Sequence, residues 1–166
     1  IVESEAVKSY HTVPVPDYAI SKLFSLFHLY AITGGMPEVV KRYTSSKDLT
    51  LLNNIYDSLI VSYIDDVEKY AGSEAQTQVI RHCIRSVMIE AGRRIKFAGF
   101  GNSNYRSREV GEALRTLQKA LLIHLVYPVT SEALPLMPDN RKSPRLQFLD
   151  TGLMNYFGGI QKELIG

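Results

Sequence analysis

The sequence predicts a mainly α fold with a small β component, which places the protein in the α+β class. Apolar residues recur every three or four positions through most of the chain before residue 122, a spacing typical of amphipathic helices. Glycine and proline interrupt this pattern between the helical stretches. Two short segments rich in strand-forming residues follow, separated by a polar loop that contains proline, and they predict a β-hairpin.

The first helix is predicted over residues 16–32, after an extended lead-in over residues 1–14. The prolines at the end of the lead-in prevent a helix from running through it. Spacings of three and four place an apolar stripe on the helix that follows. The stripe consists of Ile20, Leu23, Phe24, Phe27 and Tyr30. Gly34 and Gly35 end the helix, because glycine enters left-handed conformations without a Cβ clash.

Two further helices complete a predicted helical subdomain over residues 15–72. Pro37 suits the first turn of a short helix over residues 37–43, where its missing N–H costs nothing. Asp48 then supplies an N-cap for a long helix over residues 49–70.

The rest of the chain has the element order of the latter part of a winged-helix domain. The predicted order is a helix ending at Gly92, a glycine-rich loop over residues 93–105 and a helix capped by Ser107. The hairpin follows, with strands predicted over residues 122–127 and 145–149. In such domains the helix before the hairpin often enters the DNA major groove. The fold we expect is therefore an N-terminal helical bundle packed on a winged-helix-like domain over residues 73–157, with a β-hairpin wing. Residues 158–166 would begin a further segment.

Charge is distributed unevenly along the chain. Residues 1–75 contain six Lys and Arg against ten Asp and Glu, whereas residues 76–166 contain thirteen against seven. The excess of Lys and Arg in residues 76–166 is suited to binding phosphates. The candidate nucleic-acid contacts are Arg106, Arg108, Arg115 and Lys119. The alternative is a solvated helix face with ion pairs, such as those of Glu112 with Arg108 and Arg115.

No catalytic or cofactor-binding pattern is present in the sequence. The glycine pairs lack the Gly-Lys-Ser/Thr of a P-loop, the four His residues have no zinc-ligand spacing, and no Ser lies in a nucleophile elbow. Asp65 and Asp66 are adjacent, so on a helix they point about 100° apart and do not form a matched metal-ligand set. We therefore expect a non-enzymatic chain without a cofactor or metal of its own.

Location is also predicted from the sequence. No apolar run approaches the roughly 20 residues that cross a bilayer, and the first residues lack the pattern of a secretory signal. The single cysteine, Cys83, lies in a helical apolar pattern and is expected to be a buried thiol. The predicted location is cytoplasmic, with no membrane partner.

Three sequence blocks resemble the uncharacterised C-terminal region that follows the ATPase domain in predicted bacterial and archaeal AAA-type ATPases. The blocks, in the order of that family, are Tyr30-Ala31-Ile32-Thr33-Gly34-Gly35-Met36-Pro37-Glu38-Val39-Val40, Tyr63-Ile64-Asp65-Asp66-Val67-Glu68-Lys69-Tyr70 and Phe148-Leu149-Asp150-Thr151-Gly152-Leu153. Together they extend over most of residues 15–157. The loop over residues 93–105 departs from the family pattern, because it is longer and more glycine-rich than a tight helix-turn-helix needs.

The resemblance implies that this chain, which begins at Ile1 without an initiator Met, is a piece of a longer protein. An upstream P-loop domain would bind ATP and Mg²⁺, and a nuclease-like domain would follow. The chain itself would be a non-catalytic accessory region that couples nucleotide state to a partner through the winged helix, with its own ATPase domain and either DNA or another protein as partners. A DNA-binding winged-helix module is the alternative. The motif residues expected to have structural roles are Gly34, Gly35, Pro37, Glu38, Asp66, Asp150 and Gly152.

Overall fold

The computed structural model describes residues 14–161, apart from the side chain of Glu68, and it is mainly helical with one antiparallel pair of strands. This confirms the predicted fold class. The helices are α1 (Asp17–Thr33), α2 (Pro37–Ser46), α3 (Asn53–Glu68), α4 (Glu74–Glu90), α5 (Ser107–Lys119) and α6 (Thr151–Phe157). The strands are β1 (Ile123–Val126) and β2 (Arg145–Phe148), and single 3-10 turns occupy Thr50–Leu52 and Phe100–Asn102. Most of the predicted lead-in and most of the predicted final segment lie outside the described residues.

The described chain divides into two compact units, one of residues 14–53 with 150–161 and one of residues 54–149. The predicted boundaries were different, since the helical subdomain was expected to end at residue 72 and the second domain to run to residue 157. The difference arises because α6, which the sequence pattern did not predict as a helix, packs on α1. Residues after the hairpin therefore belong to the first unit.

Glycine and proline shape the corner between α1 and α2 as predicted. Gly34 ends α1 at a positive φ of 71°, and its N–H donates to the Tyr30 carbonyl at 2.7 Å. Pro37 is the first residue of α2, where the missing N–H leaves no helical hydrogen bond unmade. The exposed Glu38 in the first turn of α2 is favourably placed relative to the helix dipole.

The apolar stripe of α1 is largely exposed rather than buried. Phe24 is 69% and Phe27 66% exposed, whereas the buried residues of α1 are Ala19, Ile32 and Thr33. A helical period shows that one face is apolar, but it does not show which segment covers that face. Among the described residues, nothing buries the side chains of Phe24 and Phe27.

The long helix predicted over residues 49–70 is interrupted near its start. Asp48 accepts hydrogen bonds from the N–H and hydroxyl of Thr50 at 2.9 and 2.6 Å, and these accompany a 3-10 turn before α3 begins at Asn53. Asp48 therefore bonds to a separate turn whose capping position is Leu49, and the prediction that Asp48 caps a long helix was wrong.

The core of the second unit lies between α4, α5 and the strands. Each of these elements contributes fully or almost fully buried aliphatic side chains. They are Val79, Ile80, Ile84 and Val87 of α4, Val110, Leu114 and Leu117 of α5, Ile123 and Leu125 of β1, and Leu146 of β2. Cys83 is buried in α4 as expected, and burial raises the pKa of its thiol to about 12. It is therefore a neutral packing group rather than a reactive thiolate.

The predicted hairpin is present, and a further segment extends its pairing. In the β1–β2 register, Leu125 pairs with Leu146 and Val126 with Arg145. Residues 92–95 pair with β2 as well: the Leu146 N–H donates to the Arg93 carbonyl at 2.9 Å, and the Ile95 N–H donates to the Pro144 carbonyl at 2.9 Å. The loop between α4 and α5 is thus tied to the second strand of the hairpin.

The cap of α5 differs from the prediction. Ser107 is the first helical residue, and Arg106 occupies the capping position before it. The Arg106 N–H donates to the Glu109 carboxylate at 2.9 Å. The acid three residues further along the chain thus supplies an acceptor for the backbone N–H at the capping position. The preference for serine at capping positions did not predict Arg106 as the cap, because the hydrogen bond depends on Glu109 reaching back to the residue before the helix.

Candidate functional site

The outer face of α5 carries the basic residues singled out from the sequence. Arg108, Arg115 and Lys119 are exposed, as is Arg106 just before the helix, while Val110, Leu114 and Leu117 face the core. The helical period therefore separates the two faces as predicted. Of these cations, Arg108 is engaged by Glu112, whose carboxylate lies 3.0 Å from the guanidinium Nε.

Arg115 lies along the helix surface close to Gly111. One of its guanidinium nitrogens is 3.5 Å from the point that a Cβ on Gly111 would occupy, and the Phe97 ring is 3.1 Å from the same point. The predicted pair between Arg115 and Glu112 is not among the ion pairs between described residues. The absence of a side chain at Gly111 thus lets the loop after α4 pack closely on α5.

The acidic residues of α5 line a depression that none of the basic residues of α5 lines. Glu109 and Glu112 line a depression together with Ser73 and Gln76 at the start of α4 and Tyr105 before α5. No Lys or Arg lines this depression. The two acids that dilute the charge of α5 in a sequence count are therefore gathered at one place, toward the start of α4.

A second cleft, of about 310 Å³, is cationic. It lies where the loop after α4, the start of α5 and the returning limb of the hairpin loop meet, and no Asp or Glu lines it. Its polar lining residues are Lys96, Ser107, Tyr127, Asn140, Arg141, Lys142 and Ser143. Arg141 and Lys142 were not predicted as contacts, although an adjacent Arg-Lys pair in the polar loop between two predicted strands is a signal of a basic site.

Among the cations that line the cleft, Arg141 is held by an ion pair with Asp139. Arg141 donates from Nε to Asp139 Oδ1 at 2.9 Å and from Nη2 to Oδ2 at 3.2 Å. The Arg141 hydrogen bonds lower the pKa of Asp139 to about 2, so the pair persists at neutral pH. Lys96 and Lys142 make no ion pair with another described residue.

In the first unit, two of the three family-like blocks meet at Asp150. Its carboxylate accepts a hydrogen bond from the Gly35 N–H at 2.6 Å and caps α6 by accepting from the Leu153 N–H at 2.8 Å. Asp150 is only 7% exposed. A Cβ on Gly34 would collide with this carboxylate, and one on Gly152 would collide with the Thr33 carbonyl. Gly34, Gly35, Asp150 and Gly152 are therefore one structural joint, which we call the Asp150 joint.

Asp66, from the remaining block, is not part of a buried anchor. Its side chain is 65% exposed and pairs with Lys69 at 2.7 Å. The Asp66 hydrogen bond raises the pKa of Lys69. The structural role expected for Asp66 would therefore be exercised at the surface, because the side chain lies on the solvent-exposed face of α3.

A histidine and a serine meet in the second unit, but their hydrogen bonds do not form a nucleophile and base. His82 Nε2 lies 3.0 Å from the Phe100 carbonyl and 3.3 Å from Ser86 Oγ, while the Ser86 hydroxyl donates to the His82 carbonyl at 2.9 Å. Since a carbonyl only accepts, the 3.0 Å contact places a proton on Nε2. That nitrogen is then not the base that a serine nucleophile requires.

The described residues contain neither a metal-binding cluster nor a membrane-spanning helix. No group of three or more His, Cys, Asp and Glu side chains within residues 14–161 is arranged to hold a metal ion. None of the helices in the same range is both long and apolar enough to span a membrane. The expectations of no metal and no cofactor stay predictions.

Comparison with known proteins gives a family but no activity. No curated protein and no solved structure matches the chain. One family, described as Domain of unknown function (DUF8612), matches residues 25–164. This range covers most of the chain and includes both the Asp150 joint and the cationic cleft. The chain therefore belongs to the DUF8612 family.

Proposed function

We propose that the chain is a non-catalytic accessory region of a cytoplasmic AAA-type P-loop ATPase, in which the second unit carries the contact with a partner. The observation that supports the proposal is the Asp150 joint. Two blocks that resemble the region after such an ATPase domain lie about 115 residues apart, and Asp150 joins them by a hydrogen bond to the Gly35 N–H. A shared structural role explains why both blocks would occur together and in order.

The element order of the second unit supports a winged helix as the contact module. Helix α4 is followed by the paired segment 92–95, a 3-10 turn, helix α5 and the β1–β2 hairpin. In a winged helix, the helix before the hairpin and the hairpin loop are the parts that approach a partner. Here these parts would be α5 and residues 127–144.

ATP binding by the full-length protein tests the ATPase proposal. We expect the full-length protein to bind and hydrolyse ATP with Mg²⁺, and we expect replacement of its upstream P-loop lysine to abolish hydrolysis, because that lysine contacts the β and γ phosphates. Residues 1–166 alone should bind no ATP. A full-length protein that neither binds nor hydrolyses ATP would contradict the proposal.

Nucleic acid is the second candidate, as the partner of the second unit. It is favoured by the exposed Arg106, Arg115 and Lys119 around α5 and by the separation of Glu109 and Glu112 from the cationic cleft. Lys and Arg side chains that neutralise phosphates release counterions, which gives affinity with a strong salt dependence.

Reversing two charges on α5 should weaken duplex binding. We expect Arg115→Glu with Lys119→Glu to lower affinity for duplex DNA about tenfold or more at low salt, and to reduce the slope of log affinity against log salt by about two, one for each lost phosphate contact. Fluorescence anisotropy at several salt concentrations measures both quantities. The matched control is Lys22→Glu with Lys41→Glu, which makes the same charge change at exposed sites of α1 and α2. Equal affinities for the two double variants would remove the basis for a nucleic-acid role of α5.

A further inference from the structure

We propose that the cationic cleft of the second unit holds a phosphate group of the nucleic acid in addition to the contacts of α5. This inference rests on the nucleic-acid role proposed above and assigns the contact to residues that the charge pattern alone does not select. Its lining brings together side chains from three segments that are distant along the chain, namely 95–98, 107 and 140–144.

The electrostatics of the cleft favour an anion. Lys96 and Lys142 line it without an ion pair to any described residue, and no carboxylate lines it. On α5, Arg108 is paired with Glu112, whereas Arg115 and Lys119 make no ion pair with another described residue. An unpaired cation gains more from an incoming phosphate than a paired one, because no existing interaction must first be broken.

Hydrogen-bond donors complement the two lysines. Ser107, Asn140 and Ser143, whose side chains can donate hydrogen bonds, are among the residues that line the same cleft. Serine, asparagine and lysine side chains are common donors to nucleic-acid phosphates. The cleft therefore combines residues that can supply neutral donors with unpaired cations, a combination suited to binding phosphate oxygens.

The backbone around the cleft is held in place before any ligand arrives. The Ile95 N–H donates to the Pro144 carbonyl at 2.9 Å, and Pro144 and Ile95 are both buried. The two hydrogen bonds between Arg141 and Asp139 brace the hairpin limb that carries Lys142. Because the walls are already paired, binding would order side chains but would not require the backbone to fold.

Chemical-shift mapping on the whole chain tests the cleft, with a short DNA duplex and inorganic phosphate as separate probes. We expect the duplex to shift the backbone amides of residues 95–98, 107 and 140–143, and we expect Lys96→Gln with Lys142→Gln to weaken duplex binding about tenfold. Arg108→Gln with Lys119→Gln removes the same charge from α5 and should weaken binding less. All four residues are exposed, so we expect both double variants to fold. The amide spectrum of each variant checks this directly.

The outcomes separate the cleft from the wider proposal. Duplex binding that is unchanged in Lys96→Gln/Lys142→Gln but lost in Arg108→Gln/Lys119→Gln would overturn the cleft and keep α5 as the contact. A duplex that does not bind, with phosphate still shifting the cleft amides, would remove nucleic acid as the partner and support the cleft as an anion site. No shift of the cleft amides with either probe would overturn the inference.

Discussion

Asp150→Ala should lower the free energy of unfolding of the first unit by about 3 kcal/mol. The substitution removes the acceptor for the Gly35 N–H, and a hydrogen bond to a charged group contributes about 1.5–3 kcal/mol. It also removes the cap of α6 at the Leu153 N–H, which contributes about 1 kcal/mol. Urea unfolding followed by circular dichroism measures the total, and amide exchange at Gly35 and Leu153 locates the loss.

Two further variants make this expectation specific. Asp150→Asn keeps a side-chain oxygen that can cap α6 but replaces the other carboxylate oxygen by an NH₂ group, which cannot accept from the Gly35 N–H. We therefore expect the free energy of unfolding to fall by less than in Asp150→Ala. Asp65→Ala removes an exposed carboxylate on α3 and should change stability by less than about 0.5 kcal/mol. If Asp150→Ala were no more destabilising than Asp65→Ala, the Asp150 joint would not hold the first unit together.

Gly152→Ala should be destabilising by about 2 kcal/mol even though alanine favours helices more than glycine does. The new Cβ would collide with the Thr33 carbonyl and lie 2.7 Å from the Gly34 nitrogen, so α6 would have to move away from the end of α1. Forcing an extra carbon into a close-packed contact typically costs 1–3 kcal/mol. Urea unfolding of the variant tests this value.

Gly72→Ala is the matched control for this prediction. Its nearest neighbour would be the flexible Gln76 side chain at 3.5 Å, which is an ordinary contact, so the stability should stay within about 1 kcal/mol of the unmodified protein. A Gly152→Ala variant as stable as Gly72→Ala would show that α6 does not need the close approach to Thr33.

The sequence was sufficient to predict the hairpin and the helices α1 to α5, because these depend on periodicity and on breaking residues. Gly34 and Pro37 end and begin helices where expected, and the two predicted strands pair. The cap at Arg106 and the 3-10 turn at Thr50–Leu52 were missed, since they depend on the reach of individual side chains.

Long-range relations were less accessible from the sequence. The return of α6 to the first unit depends on Asp150 and Gly152 meeting the end of α1, and no local pattern shows such a meeting. The exposure of Phe24 and Phe27 was not predicted for the same reason, since an apolar helix face does not reveal which segment, if any, covers it. The charge count found the basic half of the chain but could not show that the acids of α5 and the lysines of the cleft lie in different depressions.

Amide hydrogen exchange of the full-length protein, measured with a non-hydrolysable ATP analogue and without nucleotide, tests the accessory-region proposal most directly. If the region couples nucleotide state to a partner, the analogue bound to the ATPase domain should change exchange rates within residues 14–161, because coupling requires that the two nucleotide states differ in free energy there. We predict such changes in α5 and in residues 127–144. Exchange rates that are identical throughout residues 14–161, under conditions in which the analogue is shown to bind, would contradict the account.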